Sequence, residues 1–143
     1  MKTTAASQAA ETTAANPKVL GGVAPYLSVR DASAAAEFYK RAFGAEEVAR
    51  KSMQDHRLIH CHLYINDASV MLSDAFPEFG HPLKDPQGFN LLLAVDDVDA
   101  WWKRAIEAGA EIVMPLELQF WGDRYGQLRD PFGVTWAMAS PGR

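Results

Sequence analysis

Hydrophobic and polar residues alternate in short segments along most of the chain, and two segments have helical spacing instead. Strands are predicted at residues 23–29, 45–53, 57–66 and 68–74, and again at 89–95, 110–118, 120–130 and 133–140. A helix with apolar residues three and four apart follows the first strand of each half. Asp31 and Gly44 are predicted to cap one helix, and Asp96/Asp97 and Gly109 the other. The order strand, helix and three strands therefore occurs twice.

The two halves also correspond position by position, which indicates an internal duplication. Val29 corresponds to Val95 and Asp31 to Asp97, and the alignment continues past both helices with one residue of slippage. The predicted fold class is α+β, with two βαβββ modules that form a cupped mixed sheet. The predicted organisation is a mobile tail at 1–17 and a single domain at 18–143, which holds module one at about 20–75, a connecting loop at 76–88 and module two at about 89–140.

Composition and charge narrow the classes of partner. The chain has 143 residues, 48% of them hydrophobic, and a formal net charge of -4 without a cluster of basic residues. This argues against nucleic acid or an anionic membrane as partner. Cys61 is the single cysteine, and the N-terminal residues lack the apolar core of a signal peptide. We therefore expect a cytoplasmic protein without disulfides.

Strand alternation divides the side chains into two sets. One set is almost wholly apolar and is expected to lie under the helices. The other set, here named the mixed face, combines rings, hydroxyls and amides, which suits a pocket for an amphipathic or aromatic small molecule. In module one it comprises Tyr26, Ser28, His60, His62, Tyr64, Met71 and Ser73, and in module two Asn90, Leu92, Ala94, Thr135, Ala137 and Ala139. The predicted ligand-binding residues are Tyr26, His60, His62, Tyr64, Met71, Asn90 and Trp121, with Arg124 at the rim.

His60 and His62 raise the question of a metal ion, because imidazoles two apart on a strand emerge on the same face. Zinc or iron would need at least one further ligand, for which the sequence offers Asp74 or His81. The alternative is a pair of neutral histidines that hydrogen-bond a ligand, water or Tyr64. Because no closed set of ligands is visible, the prediction is a site without metal or other cofactor.

Two further stretches carry a family resemblance. "WGDRYG" at 121–126 with "DPFG" at 130–133, and "IHCHLYINDASVMLSD" in module one, resemble the vicinal oxygen chelate superfamily and its PhnB-like, glyoxalase/bleomycin-resistance-like branch. The resemblance implies two βαβββ modules that close into a cup, a homodimer, and in many members a divalent metal. The positions that match the metal ligands of the superfamily hold Ala24, Met71, Asn90 and Ala137, none of which is an imidazole or a carboxylate. PhnB-like sequences are similar to this one at His60, which is therefore the best candidate for a catalytic residue.

Three functions are consistent with these features. The leading hypothesis is a small-molecule binding protein of the glyoxalase/bleomycin-resistance type, with an amphipathic or aromatic ligand in a metal-free cup. The alternative is a metal-dependent lyase, isomerase or dioxygenase of the glyoxalase type that uses His60 and His62 as ligands. A third possibility is an interaction domain whose cup is filled by its own loop or tail. The connecting loop at 76–88 is interpreted as a linker, with a lid over the cleft as the alternative.

Overall fold

The structure, a computed structural model, describes residues 10–11 and 17–142. The predicted order of elements is confirmed in both halves. The first half contains β1 (Ala10–Glu11), β2 (Tyr26–Val29), α1 (Ala32–Phe43), β3 (Glu46–Ser52), β4 (Leu58–Ile65) and β5 (Ala68–Asp74). The second contains β6 (Leu91–Ala94), α2 (Val98–Ala108), β7 (Glu111–Leu118), β8 (Asp123–Arg129) and β9 (Thr135–Pro141). The fold is α+β, as the sequence predicts.

The described chain divides into two compact units. The first extends to Lys40 and includes Gly44–Lys84, and the second comprises Arg41–Phe43 and continues from Asp85. The sheet of the first unit has the order β1-β3-β4-β5-β2, and that of the second β6-β9-β8-β7. In each unit the strand before the helix pairs in parallel with the last strand, β2 with β5 and β6 with β9. The shared order β3-β4-β5-β2 and β7-β8-β9-β6 agrees with a duplicated unit.

The caps of both helices are those that the sequence predicts. The carboxylate of Asp31 accepts a hydrogen bond from the amide of Ala34 at 3.1 Å, and Asp97 accepts one from Ala100 at 3.2 Å. Gly44 ends α1 with a φ of 66°, a left-handed conformation that glycine adopts without steric cost. These caps satisfy amides and carbonyls that have no partner inside a helix.

The hairpin between β4 and β5 fixes which side chains of the first sheet share a face. Asn66 and Asp67 both have positive φ, 51° and 63°, which is typical of the tight turns that join antiparallel strands. The turn sets the register, so that Tyr64 is opposite Ser69 and His62 is opposite Met71. These four side chains therefore lie on the same face of the sheet.

The opposite face is the helix side of the first unit. Arg50 is the register partner of Cys61, and its Nη1 donates to Oγ of Ser33 in α1 at 3.3 Å. Cys61, Leu63 and Leu72 have no exposed surface. The predicted division between an apolar helix side and a mixed face is confirmed. Burial raises the pKa of the Cys61 thiol to about 12, so this cysteine is a buried, unreactive group.

The structure describes part of the predicted tail at 1–17 and the connecting loop at 76–88. Ala10–Glu11 pairs antiparallel with Ser52 and Lys51 of β3, and the rest of the predicted tail up to 16 lies outside the described residues. The connecting loop contains a 3-10 turn at Pro77–Phe79. Arg57, which directly precedes β4, forms an ion pair with Glu78 of this turn at 2.5 Å. No helix in the described part of the chain is long and apolar enough to cross a membrane.

Candidate functional site

The mixed face of the first unit brings side chains from four strands together. Ala49, His62, Met71 and Tyr26 are successive register partners across β3, β4, β5 and β2. His60 lies two residues before His62 on β4, and therefore on the same face. Of the predicted ligand-binding residues, five lie on this one face of the sheet: Tyr26, His60, His62, Tyr64 and Met71.

Tyr26 and His60 form the polar contact at one end of this surface. The Tyr26 hydroxyl lies 2.8 Å from Nδ1 of His60 and 3.3 Å from the carbonyl oxygen of Ile59. The two ring centroids are 5.7 Å apart. Tyr26 is 53% exposed and His60 is half-buried, so both can contact a molecule placed on the sheet.

His62 and Tyr64 are covered at the other end by the chain that leads into β2. Nε2 of His62 lies 2.7 Å from Oγ of Ser69, and the same oxygen accepts a hydrogen bond from the amide of Leu20 at 2.8 Å. The Tyr64 hydroxyl donates to the carbonyl of Lys18 at 2.6 Å. As a result His62 is only 2% exposed, whereas Tyr64 remains half-buried. The accessible part of the mixed face is therefore the end that carries Tyr26 and His60.

Four rings follow one another along this face and form a ladder. The His60 and His62 centroids are 6.3 Å apart, and those of His62 and Tyr64 are 5.2 Å apart, both in edge-to-face geometry. Together with the Tyr26–His60 contact these make a continuous row of rings, of which His62 is buried. Such rings offer a large apolar contact area at little cost in side-chain entropy.

Burial sets the protonation of the groups in this ladder. It lowers the pKa of His60, and the positive charges of His62 and Lys51 lower it further. Burial alone lowers the pKa of His62. Burial also raises the pKa of the Tyr26 phenol. At neutral pH Tyr26 therefore retains its phenol proton, and the imidazoles of His60 and His62 are neutral.

The second unit has a separate aromatic cluster at the β7–β8 turn. The Trp121 ring meets Phe120 at 5.0 Å and Tyr125 at 5.5 Å, and Trp121 is 48% exposed. Nε1 of Trp121 donates to Asp123 at 3.2 Å. Nε2 of Gln127 donates to the Tyr125 hydroxyl at 2.9 Å. Trp121 is thus an exposed ring held by its neighbours, as a stacking platform requires.

Asn90 and Arg124, which were also predicted to bind the ligand, take no part in the ring contacts of Trp121. Asn90 directly precedes β6 and is exposed. Nη2 of Arg124 donates to Oδ1 of Asp99 in α2 at 2.6 Å. Arg124 therefore lies on the helix side of its sheet, whereas its neighbour Tyr125 pairs with Ala139 on the mixed face. Within the second unit, the structure does not bring Arg124 to the face that carries Tyr125.

The side chains around His60 and His62 do not fit a metal ion. Asp74, suggested above as a third ligand, lies on the helix side, where Oδ1 accepts from the Ala32 amide at 2.8 Å and Oδ2 from the Leu58 amide at 2.6 Å. Both oxygens are therefore already committed to backbone groups. His81 is exposed in the connecting loop. Among the described residues, no three His, Cys, Asp or Glu side chains are grouped so that they could hold one ion.

Three residues of these surfaces were not among the predicted site residues. Ser69 could have been found, because the two-residue turn fixes its position opposite Tyr64. Tyr125 could have been found from strand alternation alone. Lys51 is the register partner of His60, but the β3–β4 pairing shifts between Glu47 and Ala49 and again after Lys51. No sequence signal marks those shifts.

Comparison with known proteins agrees with the duplicated fold and the sequence motifs. The model of the Glyoxalase/Bleomycin resistance protein/Dioxygenase superfamily matches residues 20–138. The chain belongs to this superfamily. The resemblance inferred from the two motifs is thereby confirmed, and the family is shown for almost all of the residues from β2 to β9.

Individual proteins are similar to this chain in sequence or in structure. Protein Mb0911c of Mycobacterium bovis is 43% identical over 127 residues, which cover 85% of this chain and 84% of that protein. Among solved structures, TioX from Micromonospora sp. ML1 has a TM-score of 0.68 at 25% identity and covers 85% of this chain and 98% of that one. The PhnB protein from Bacillus cereus has a TM-score of 0.67 at 19% identity, with coverage of 84% and 99%. The likeness to the PhnB protein shows a shared fold.

Members of the superfamily often hold a divalent metal, and four positions of this chain match the ligands of that metal. The matching positions, Ala24, Met71, Asn90 and Ala137, provide one thioether, one amide and two methyl groups. Divalent zinc, iron or magnesium prefers imidazole, thiolate or carboxylate ligands. These positions therefore do not fit a resident metal.

Proposed function

We propose that this protein binds a small, partly aromatic molecule on the mixed face of its first unit, without a metal ion. The observation that carries the proposal is the ladder of Tyr26, His60, His62 and Tyr64. Its accessible end, Tyr26 and His60, combines aromatic surface with polar atoms whose positions are already fixed by hydrogen bonds. The proposed activity is binding or sequestration rather than turnover.

The packing of the ladder supports a preformed site. Met71 lies between Tyr26 and His62 in the register and adds an adaptable apolar side chain. The hydroxyl of Tyr26 is held at His60, and that of Tyr64 at the carbonyl of Lys18. Side chains already ordered lose little entropy on binding, which favours affinity. A ring stacked on Tyr26 gains about 0.5–1.5 kcal/mol beyond the apolar area that it buries.

The test is a binding titration with simple aromatic molecules, such as naphthalene derivatives, followed by NMR of the Tyr26 and His60 ring resonances. We expect saturable shifts at these two residues. Tyr26→Ala should weaken binding by about tenfold, since it removes a stacking contact together with buried apolar area. Tyr26→Phe keeps the ring and is the matched control that should retain most of the affinity. Absence of saturable binding by any of these molecules would refute the proposal.

The enzyme hypothesis is tested on the same preparation. Elemental analysis of protein purified without chelator should find no stoichiometric divalent ion. A stoichiometric ion that is lost on His60→Ala would replace the proposal with the metal-dependent lyase or dioxygenase. His56→Ala, at an exposed turn before β4, is the control for the loss of any histidine.

A further inference from the structure

The chain that covers one end of the ladder is attached to the sheet by hydrogen bonds. Residues 17–20, here named the strap, lie against the β4–β5 hairpin. The Leu20 amide donates to Oγ of Ser69 at 2.8 Å, and the Ser69 amide donates to the Leu20 carbonyl at 3.0 Å. The Tyr64 hydroxyl donates to the Lys18 carbonyl at 2.6 Å. Each of these bonds joins a backbone group of the strap to the hairpin.

The side chains of the strap add little to this attachment. Lys18 and Val19 are exposed, and Pro17 and Leu20 are only half-buried. A segment that buries little apolar surface opens at a much lower cost in free energy than the whole domain unfolds. We therefore expect the strap to open while the sheet below it stays folded.

Two glycines and a fixed contact follow the strap directly. Gly21 and Gly22 are here named the hinge. Gly21 has a φ of 97°, a conformation that glycine adopts readily, and a Cβ on Gly22 would lie in open space. After the hinge, the Met71 amide donates to the Pro25 carbonyl at 3.0 Å, and β2 begins at Tyr26. The strap can therefore move at the hinge without displacing β2.

Opening of the strap uncovers the second half of the ladder. With the strap closed, Ser69 is 1% exposed, His62 is 2% exposed and Tyr64 is half-buried. The rings of His62 and Tyr64, 5.2 Å apart, continue the row that begins at the accessible end with Tyr26 and His60. The uncovered rings would lie next to a molecule already bound at that end.

We infer that the strap opens at the hinge and that the opened sheet binds an elongated ligand, with two aromatic ring systems joined end to end. One ring system lies on Tyr26 and His60, and the other lies on His62 and Tyr64. This inference rests on the proposed function and specifies the shape of its ligand. Such a ligand binds only the open form, so its apparent affinity is reduced by the fraction of molecules in which the strap is closed.

Hydrogen exchange measures the opening without a ligand. The Ser69 and Met71 amides are two residues apart on β5 and donate to carbonyls on opposite sides of the hinge. After correction for intrinsic rates, we expect the Ser69 and Leu20 amides to exchange at least about tenfold faster than the Met71 amide. Equal protection of Ser69 and Met71 would overturn the inference, because the strap would then open only together with the sheet.

The shape of the ligand is tested with two uncharged probes, 2-naphthamide and the longer 6-phenyl-2-naphthamide. Both probes should shift the NMR resonances of the Tyr26 and His60 rings. Only the longer probe should also shift those of the Tyr64 ring and speed up exchange of the Leu20 amide, since it holds the strap open.

Removal of one hydrogen bond of the strap should strengthen binding of the longer probe. Tyr64→Phe keeps the ring and removes the bond to the Lys18 carbonyl. The net contribution of one hydrogen bond corresponds to a change of about two- to tenfold in the opening equilibrium. The variant should therefore bind 6-phenyl-2-naphthamide about two- to tenfold more tightly and 2-naphthamide with unchanged affinity. Lys18→Ala, which keeps the backbone carbonyl, is the control and should change neither affinity.

The outcomes separate this inference from the proposed function. Binding of 2-naphthamide alone, binding of the longer probe without shifts at Tyr64, or an affinity of the longer probe that Tyr64→Phe does not raise would each overturn the inference and leave the proposed function intact. Failure of both probes to bind would overturn the two together.

Discussion

Asp74 offers the sharpest test of how the first unit is held together. Its carboxylate accepts hydrogen bonds from the Ala32 amide at the start of α1 and from the Leu58 amide at the start of β4. Asp74→Ala leaves both amides without an acceptor in a buried site. Each unsatisfied buried donor costs about 1–3 kcal/mol, and more when the lost acceptor is charged, so the free energy of unfolding should fall by about 3–5 kcal/mol.

The measurement is the free energy of unfolding from urea titration, with the slope of the transition as a check that the variant still unfolds in one step. Asp74→Asn keeps one acceptor oxygen but faces the second amide with an NH₂ group, so we expect a loss of about 2–3 kcal/mol. Asp85→Ala, in the exposed connecting loop, is the control and should stay within about 0.5 kcal/mol of the wild type. A loss below about 1 kcal/mol for Asp74→Ala would contradict the structural role of this carboxylate.

Two more predictions concern packing and pH. A Cβ on Gly126 would lie 2.7 Å from ring carbons of Trp102, so Gly126→Ala should destabilise the protein by about 1–3 kcal/mol in urea titration, whereas Gly22→Ala, with open space around it, should not. Because the folded pKa values of His60 and His62 are below 6.5, the unfolded chain binds more protons between those values and pH 6.5. The free energy of unfolding should therefore fall as the pH drops through this window, and replacing both histidines with glutamine should flatten the slope; an unchanged slope would contradict the burial of these rings.

Most of the fold could be predicted from the sequence because its signals are local. Alternation in residues 57–66 and 68–74 defines two strands, and Asn66–Asp67 supplies the turn that sets their register. Asp31 and Gly44 mark the ends of α1 for equally local reasons. The grouping of His60, His62 and Tyr64 on one face follows from parity within β4, and Tyr26 joins them through the pairing of β2 with β5.

The details of the candidate site depended on longer-range contacts that no local pattern records. Asp74 continues the alternation of β5, yet its role is set by two amides from distant parts of the chain. The cover over His62 comes from Lys18 and Leu20, next to the segment that the sequence suggested was a tail. Arg124 was predicted at the rim of the site because of the WGDRYG motif that contains it. The glycines of this motif do not indicate that the hydrogen-bond partner of Arg124, Asp99, lies in α2. The homodimer and the cytoplasmic location stay predictions.

The parallel pairing of the first and last strands of each unit has a consequence for synthesis. Tyr26–Val29 cannot acquire its neighbour until Ala68–Asp74 has left the ribosome, and Leu91–Ala94 must wait for Thr135–Pro141. Until then a nascent chain exposes unpaired strand edges, which are prone to join other chains. A chain truncated within either unit would therefore keep an unpaired strand edge and tend to aggregate rather than form a smaller folded protein.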